Sequence, residues 1–381
     1  MSSLVRSLIP AAVALAVAAG SAVAQEKQIK LSSGFPPGSV PPIAYDAVAD
    51  WLAANSDFRA EVFSMSLLSL QETAAGIRDG ITDAGYVLTP YTPAEFSEMN
   101  LAADMSMLVA SGTDVPNMAM SAAVLEYVLL NCPECQQEFA AQNQLFLATG
   151  ASTAYSLVCR DPIATVADVK GKAIRVGAPV FGRWVERFGG TKASIPGSEM
   201  FEALSQGVVQ CTMVGTPDVV NFQLLDVIKA VMVGAPGGVY AGTASMNVNL
   251  DLWRGLTDDQ RRILLQAGAL MTAEVNAGYN RQAVDAEEAI RNKGIALTPA
   301  TEEFIAATRE FVEEDLETIE QQFTSLYGVE NVSAKMETIS ALVEKWKEKL
   351  RDVGPTDGEA FRALVWDEIY AKIDPAVYGM N

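Results

Sequence analysis

Histidine is absent from the 381 residues of this sequence. Its absence excludes Ser-His-Asp and Cys-His nucleophilic sites, and it excludes every metal site that needs an imidazole ligand. A general base would have to be Asp, Glu, Lys, Tyr or Cys, and no paired carboxylates stand at the end of a predicted strand. The composition therefore argues against an enzyme, and neither a cofactor nor a metal is expected.

Basic residues are also few, with 27 Lys and Arg against 47 Asp and Glu and a formal net charge of −20. Such a chain repels nucleic acid and anionic membrane surfaces, and no basic stripe offsets the repulsion. Nucleic acid is therefore not expected as a partner. A small anion would need a local cationic group in order to bind.

A long apolar run occurs only at the start of the sequence. Residues 1–24 contain Arg6, then an apolar stretch, then Ala22-Val23-Ala24. This order is typical of a secretory signal peptide with an A-x-A cleavage site, so the mature chain is expected to begin at Gln25. The alternative is a short membrane anchor, but the run is too short and too alanine-rich to span a bilayer comfortably. We therefore expect an exported, soluble protein.

Only four cysteines are present, and in an exported chain they suggest disulfides. Cys132 and Cys135 have CxxC spacing, which suits a local bridge, a redox pair or half of a metal site. They follow a helix-like segment rather than a strand, which favours the local structural bridge. Cys159 and Cys211 lie in apolar, strand-like segments and would form a second bridge if those strands are neighbours. Three pairings are possible from the sequence.

Strand-like and helix-like segments alternate along the chain. Residues 27–33 and 59–65 have strand patterns, and a helix pattern spans about 43–54 between them. This βαβ alternation predicts mainly parallel sheets flanked by helices. Thr257 and Gln260 form a capping pair before a long helical segment, whose length is typical of a helix that joins two lobes. The length and apolar content of the chain also favour two lobes over one.

Arg175 is the most informative single residue. It lies near the end of the apolar segment 172–176, which breaks into Gly177-Ala178-Pro179. In α/β sheets, ligands bind at the carboxyl ends of strands, and a guanidinium there can hold an anion with two parallel hydrogen bonds. The alternative is that Arg175 pairs with a nearby carboxylate of the protein, and the pattern alone leaves that open.

Four segments in the same order give the chain a family resemblance. VADVKGKAIRVGAP (166–179) and SEMFEALSQGVVQC (198–211) resemble the solute-binding proteins of tripartite ATP-independent periplasmic (TRAP) transporters, the DctP family. SLQETAAGIRDGITDAGYV (69–87) and NVNLDLWRGLTDDQRRIL (247–264) support it. The resemblance covers roughly residues 28–330.

The resemblance implies a periplasmic protein with a two-lobe α/β fold like that of periplasmic binding proteins. Crossing strands and a long helix would join the lobes around a cleft. The cleft would take up a small organic anion, mostly a carboxylate, for delivery to membrane permease subunits. Arg175 occupies the position of the family arginine that holds the ligand carboxylate. Cys159 and Cys211 resemble a branch of the family in which these two strands are bridged. We expect a monomer.

The expected division of the chain follows from the same resemblance. It consists of a signal peptide (1–24), lobe I (25–150 plus 240–285), and lobe II with the C-terminal helices (151–239 plus 286–381). Closure is expected to hinge near residues 150–155 and 235–245, with bending of the long helix.

The sequence also departs from the family pattern. The second ligand arginine of many members is replaced here by Tyr155 or Ser156, and the aspartate of the G-x-V-D motif is replaced by Gln210. The Glu-Asn-Pro run that follows is replaced by Met213-Val214-Gly215. These changes predict a cleft that is less polar than that of sugar-acid binders.

Aromatic side chains are therefore expected to contact an apolar or aromatic part of the ligand. For Trp184 and Phe181, core packing is an equally good interpretation, whereas Tyr91 lies on a loop. Glu72 is a candidate acceptor for a ligand hydroxyl, but its spacing from Ser69 is explained equally well by a capping role in a helix over 69–80. The full predicted ligand-binding set is Arg175, Tyr155, Tyr91, Glu72, Trp184, Phe181, Thr212, Gly215 and Phe35.

Two other functions compete with transport. The same cleft would suit a ligand-sensing periplasmic protein that reports to a membrane receptor. An exported enzyme acting on organic acids is the second alternative, and it would have to work without a histidine base.

Overall fold

A computed structural model describes residues 26–380. The predicted signal peptide at 1–24 lies outside the described residues. The strands are β1 (Lys27–Ser32), β2 (Phe58–Phe63), β3 (Ala84–Leu88), β4 (Gln144–Thr149), β5 (Ser156–Cys159), β6 (Ala173–Val176), β7 (Thr191–Ser194), β8 (Cys211–Val214), β9 (Ala230–Val233), β10 (Thr243–Asn249) and β11 (Ala296–Pro299).

The helices are α1 (Val40–Asn55), α2 (Thr73–Arg78), α3 (Ser97–Asp104), α4 (Pro116–Glu126), α5 (Pro133–Ala141), α6 (Pro179–Arg187), α7 (Met200–Ser205), α8 (Thr216–Asn221), α9 (Leu250–Arg254), α10 (Asp258–Asn292), α11 (Glu302–Ser325), α12 (Val332–Lys349) and α13 (Gly358–Glu368). Within residues 26–380, no helix combines the length and the apolar character needed to cross a membrane.

The strands form two sheets, with the orders β2-β1-β3-β10-β4 and β11-β9-β5-β8-β6-β7 in the described part of the chain. Pairing is parallel except around β10 in the first sheet and β5 in the second. These two antiparallel strands follow the short connections between the sheets, since β5 comes after β4 of the first sheet and β10 comes after β9 of the second. The prediction of two mainly parallel sheets flanked by helices is confirmed.

Two short segments carry the chain between the sheets. Residues 150–155 lead from β4 to β5, and residues 234–242 lead from β9 back to β10. They lie side by side, because Ser152 N donates to Tyr240 O at 3.1 Å and Tyr155 N donates to Gly238 O at 3.0 Å. Gly238 has φ 66°, and a Cβ there would lie 2.5 Å from the sulfur of Met107. Glycine therefore permits both the backbone conformation and the close packing.

The long helix α10 begins where the capping pair predicts. Thr257 Oγ1 accepts from Gln260 N at 3.3 Å, and Gln260 Oε1 accepts from Thr257 N at 3.1 Å. These bonds satisfy amide groups that a helix start leaves without partners. The helix packs against α1, α8, α13 and β4, and its end leads to β11 in the second sheet. It is therefore a third connection between the two sheets.

The C-terminal helices pack over both parts of the molecule. α11 contacts α3 and α6, α12 contacts α4, and α13 contacts α10. Trp346 of α12 is fully buried and donates its Nε1 hydrogen to Glu126 Oε2 at 2.8 Å. The residue limits of the two lobes stay a prediction.

Both expected disulfides are present, between Cys132 and Cys135 and between Cys159 and Cys211. In the register of β5 and β8, Cys159 lies directly opposite Cys211. The CxxC pair is almost completely shielded from solvent, with exposures of 1% and 0%. That burial suits a structural bridge, because a redox pair must be accessible to its exchange partner.

One helix begins later than predicted. The capping spacing places a helix start at Ser69, whereas α2 begins at Thr73. The side chain of Glu72 nevertheless accepts from the amide and the hydroxyl of Ser69, at 3.0 and 2.7 Å. Glu72 thus stabilises the turn that precedes α2, but the hydroxyl of Ser69 donates to Glu72 instead of capping the helix, so the predicted helix start at Ser69 was wrong.

Candidate functional site

A cavity is lined by residues that come from both sheets and from α10. Its described wall contains five tyrosines and two phenylalanines, with a single arginine and a single aspartate among them. The mixture of aromatic rings with a few polar groups is typical of small-molecule sites. A wider groove that shares Tyr91 and includes Gly177 adjoins the cavity.

Arg175 is in β6 and is only 3% exposed. Its Nε donates to the carbonyl oxygen of Ile195 at 2.7 Å, which fixes the plane of the guanidinium. The terminal nitrogens of Arg175 bond to none of residues 26–380, and no carboxylate there lies within ion-pair distance. The alternative that Arg175 pairs with a nearby protein carboxylate is therefore not what the structure shows. The guanidinium keeps its two-nitrogen edge available.

Gly177 lies beside this guanidinium. A Cβ at Gly177 would lie 3.4 Å from each terminal nitrogen of Arg175 and 3.3 Å from the ring of Tyr240. The contacts with Arg175 would be ordinary van der Waals contacts, and the contact with Tyr240 would require a shift of a few tenths of an ångström.

Aromatic rings form most of the remaining wall. Tyr155 stacks on Phe181 with ring centroids 4.5 Å apart, and it also stacks on Tyr240 with ring centroids 6.3 Å apart. Phe35 meets Tyr86 edge-on at 5.2 Å. Burial raises the pKa of Tyr86, Tyr155 and Tyr240 well above the ordinary value, so their hydroxyls stay protonated. The wall is apolar and carries hydroxyl groups at a few points.

Tyr91 links the two sides of the cavity. It follows β3 of the first sheet, and its hydroxyl accepts a hydrogen bond from Gly197 N, which follows β7 of the second sheet, at 3.0 Å. The described structure therefore has its two sides in contact at this point.

Asp218 is a cavity residue that sequence reasoning missed. It stands in the first turn of α8, is 8% exposed, and its Oδ1 has no hydrogen-bond partner among the described residues. Burial raises the pKa of Asp218 to about 6, while a hydrogen bond from Asn221 and the charge of Arg175 act in the opposite direction. An aspartate in the first helical turn usually complements the helix dipole, so the sequence carried no signal of a role in the cavity.

Four residues of the predicted ligand-binding set line this cavity: Arg175, Tyr155, Tyr91 and Phe35. Phe181 lies one layer behind, under Tyr155. Thr212 also lies behind the wall, where its hydroxyl contacts the sulfur of Met200 at 3.4 Å.

The other three predicted residues do not line the cavity. Gly215 precedes α8, and a Cβ there would lie 2.5 Å from the hydroxyl of Thr153. Trp184 is fully buried and donates from its Nε1 to Thr308 Oγ1 at 3.0 Å, so it packs in the core between α6 and α11. Glu72 is exposed and bonds to Ser69. Trp184 therefore packs in the core, and Glu72 is a partner of Ser69 rather than part of the cavity wall.

We expect the Asp218→Asn variant to be more stable than the unmodified protein above pH 6, when no small molecule is bound. The pKa is raised from 3.8 to about 6 in the folded state, so ionisation opposes folding and stability falls as pH rises between about 4 and 6. Two pKa units correspond to about 3 kcal/mol. An uncharged asparagine avoids this cost, and we expect a gain of about 1–3 kcal/mol at pH 7.5 and little difference at pH 4.

Urea unfolding of both proteins between pH 4 and 8 measures this difference. The exposed Asp226→Asn variant is the matched control, because its carboxylate is 70% exposed and should show no such pH-dependent gain. A constant difference between Asp218→Asn and the unmodified protein across this range would contradict the expectation.

Comparison with known proteins identifies the family to which the chain belongs. The family model of bacterial extracellular solute-binding proteins, family 7 (DctP), matches residues 53–322, which is more than half of the chain. A solute-binding protein of Albidiferax ferrireducens is 23% identical over 259 residues, which are 66% of this chain and 74% of that protein.

Solved structures share the fold. A TRAP periplasmic solute-binding protein of Bordetella bronchiseptica with bound mandelate matches with a TM-score of 0.68 and 19% identity, over 84% of this chain and 99% of that one. A marine metagenome TRAP solute-binding protein specific for aromatic acids, with 3-hydroxybenzoate, gives a TM-score of 0.71 and 19% identity over the same shares. The chain therefore belongs to the DctP family of solute-binding proteins of TRAP transporters.

Proposed function

We propose that this protein is an extracytoplasmic receptor that binds a small organic carboxylate in the cavity, with Arg175 as the residue that holds the carboxylate group. It would act in the periplasm as a monomer, after removal of the signal peptide near Ala24, and deliver the acid to membrane permease subunits. Members of the family bind small organic ligands and work with such subunits.

The single observation that carries the proposal is the state of Arg175. A guanidinium that is 3% exposed has given up most of its hydration, yet within the described chain only its Nε is bonded to protein. Buried charges are costly unless they are paired. A carboxylate that accepts from both terminal nitrogens would restore two charge-assisted hydrogen bonds in the geometry that arginine favours.

The aromatic wall supports an acid with a ring or another flat apolar part. Tyr155 and Phe35 present buried rings to the cavity, and aromatic side chains prefer offset or edge contacts with a planar partner. The ligands of the two solved relatives, mandelate and 3-hydroxybenzoate, are carboxylates that carry a benzene ring. We expect the ligand of this chain to be of similar size.

Closure around the ligand would use the two segments that cross between the sheets. Residues 150–155 and 234–242 would act as hinges, and the bond between Tyr91 and Gly197 would form as the sides meet. Closing excludes water and strengthens the pairing at Arg175, because the local dielectric constant falls. No bond of the ligand is made or broken.

Binding is tested by the stability that a ligand confers. Each member of a set of organic acids, including mandelate, 3-hydroxybenzoate and pyroglutamate, is compared with its primary amide in thermal unfolding and calorimetry. A ligand at 100 times its Kd adds about 2.7 kcal/mol to the free energy of unfolding, so a bound acid should raise Tm by several degrees and its amide should not.

The same samples distinguish reception from conversion. Mass spectrometry of the solution after long incubation should return the acid unchanged. Equal effects of the acid and its amide would refute the carboxylate role of the cavity, and turnover would revive the enzyme alternative. Uptake by vesicles that contain the permease subunits, measured with and without this protein, separates transport from sensing.

A further inference from the structure

We propose that Asp218 is a second ligand-contacting residue and that the ligand carries a hydrogen-bond donor, an N–H, ammonium or hydroxyl group, in addition to its carboxylate. This inference rests on the proposed function, because it assigns a further chemical requirement to the same cavity. It divides organic acids into those that can hydrogen-bond to both Arg175 and Asp218 and those that can bond only to Arg175.

The topology brings the two charged residues to one place. β6 and β8 are parallel neighbours, and Arg175 lies opposite Thr212 in their register. β8 ends at Val214, and α8 with Asp218 follows after a single residue. Both charged side chains therefore come from the same end of two adjacent strands, and both line the cavity.

These opposite charges are close enough to influence each other, yet they are not paired. The charge of Arg175 acts to lower the pKa of Asp218, but no oxygen of Asp218 lies within 4.0 Å of a nitrogen of Arg175. Both groups line the cavity without pairing, so a molecule bound in the cavity can contact both of them.

The free oxygen of Asp218 specifies what that molecule must offer. Within the described residues, neither Asp218 Oδ1 nor the hydroxyl of Tyr240 has a hydrogen-bond partner, although both atoms are buried and both residues line the cavity. An ionised carboxylate can only accept, so it needs a donor. A protonated tyrosine hydroxyl can donate to the ligand carboxylate, but Asp218 Oδ1 still lacks a hydrogen-bond donor.

Charge balance strengthens the requirement. A ligand carboxylate that pairs with Arg175 neutralises the cation that acts on Asp218 and brings a further negative charge into the cavity. An acid without a donor would therefore leave Asp218 more poorly solvated than before. Asp218 is 8% exposed and its Oδ1 has no partner among the described residues, so this carboxylate is poorly solvated, and its burial acts to raise its pKa. A second carboxylate on the ligand would face the same repulsion, so simple dicarboxylates are disfavoured.

Matched acids test the requirement by calorimetry on the full mature chain. The pairs are mandelate and phenylacetate, 3-hydroxybenzoate and benzoate, and pyroglutamate and cyclopentanecarboxylate, with 3-aminomethylbenzoate as an ammonium donor. We expect at least one donor-bearing acid to bind 10-fold to 100-fold more tightly than its partner, since a site with an unpaired polar group rejects ligands that cannot pair with it.

Two substitutions identify the residue responsible. Asp218→Leu removes the acceptor and should abolish the preference for either kind of donor. Asp218→Asn keeps an acceptor oxygen but removes the charge, so it should retain much of a preference for hydroxyl or amide N–H and lose a preference for ammonium. Circular dichroism and thermal unfolding check the fold, and Asp218→Asn is expected to remain at least as stable as the unmodified protein.

The outcomes separate the two proposals. If acids bind but donor-bearing and donor-free partners bind equally, or if Asp218→Leu keeps the preference, this inference fails and the carboxylate role of Arg175 stands. If acids and their amides bind alike, the proposed function itself fails. If none of the probes binds, native mass spectrometry of protein purified from its source identifies the co-purified ligand, and a ligand without a donor overturns the inference.

Discussion

Arg175→Met is expected to lower the affinity for the bound acid by about 10²-fold to 10³-fold. Truncating one partner of a buried, hydrogen-bonded charge pair costs about 2–5 kcal/mol. The loss should appear mainly as faster dissociation, because the arginine lies inside the cavity rather than on the surface that the ligand meets first. Calorimetry and stopped-flow fluorescence with the best acid of the screen measure both quantities.

The ligand-free stability of Arg175→Met is a control with an expected sign. Since an unpaired buried charge opposes folding, replacing Arg175 by methionine should not lower the ligand-free stability. Arg175→Lys, which keeps the charge, is the comparison. Lysine cannot form the two parallel bonds of a guanidinium, so Arg175→Lys should bind with intermediate affinity. Unchanged binding by Arg175→Met would remove Arg175 from the ligand site.

Arg183→Met is expected to lower the free energy of unfolding by about 3–5 kcal/mol, the cost of breaking a buried ion pair from one side. Arg183 of α6 bonds to Asp104 of α3 at 2.7 Å and to Asp315 of α11 at 2.7 and 2.8 Å. All three side chains are at most 12% exposed. Although burial acts to lower it, the pKa of Arg183 is raised by the two carboxylates.

The chain offers a matched control one turn further along α6. Arg187 pairs with Glu314 of the same helix α11, but these side chains are 44% and 52% exposed. Exposed pairs contribute about 0–1 kcal/mol, so Arg187→Met should be nearly neutral in urea unfolding. Similar losses for the two variants would contradict the role assigned to burial.

A rescue variant separates the charge effect from lost packing. Adding Asp104→Asn and Asp315→Asn to Arg183→Met removes the stranded charges and should restore part of the stability. The recovery should be incomplete, because methionine does not replace the hydrogen bonds that Arg183 donates to α3 and α11. A triple variant no more stable than Arg183→Met would point to packing instead.

Local patterns predicted the elements well. The capping pair at Thr257 placed the start of α10, and the strand-like surroundings of Cys159 and Cys211 led to the bridge that the register of β5 and β8 permits. The capping interaction is short-range in the sequence, and the disulfide joins two segments that both have a clear strand pattern. Arg175 was selected as a candidate for the same reason, as a charged residue within an apolar strand beside glycine, and the structure places it in the cavity wall.

The cavity wall was predicted only in part, because it is assembled from distant segments. Tyr240 comes from a crossing segment and Tyr279 from the middle of α10, and neither has a local signal that distinguishes it from a core tyrosine. Asp218 resembled an ordinary residue of a first helical turn. Trp184 and Phe181 belong to the same buried face of α6, and periodicity cannot tell whether such a face meets a cavity or another helix.

The two disulfides have a practical consequence for labelling the protein with a fluorophore. They consume all four cysteines of the sequence, so a single engineered thiol would be the sole attachment point for a dye. Ser194 is exposed and lines the groove that adjoins the cavity, and Gln71 from the segment between β2 and α2 lines the same groove. If the two sides close on a ligand as proposed, a fluorophore attached there would report the closure, and the labelled protein would serve as an optical sensor of that ligand.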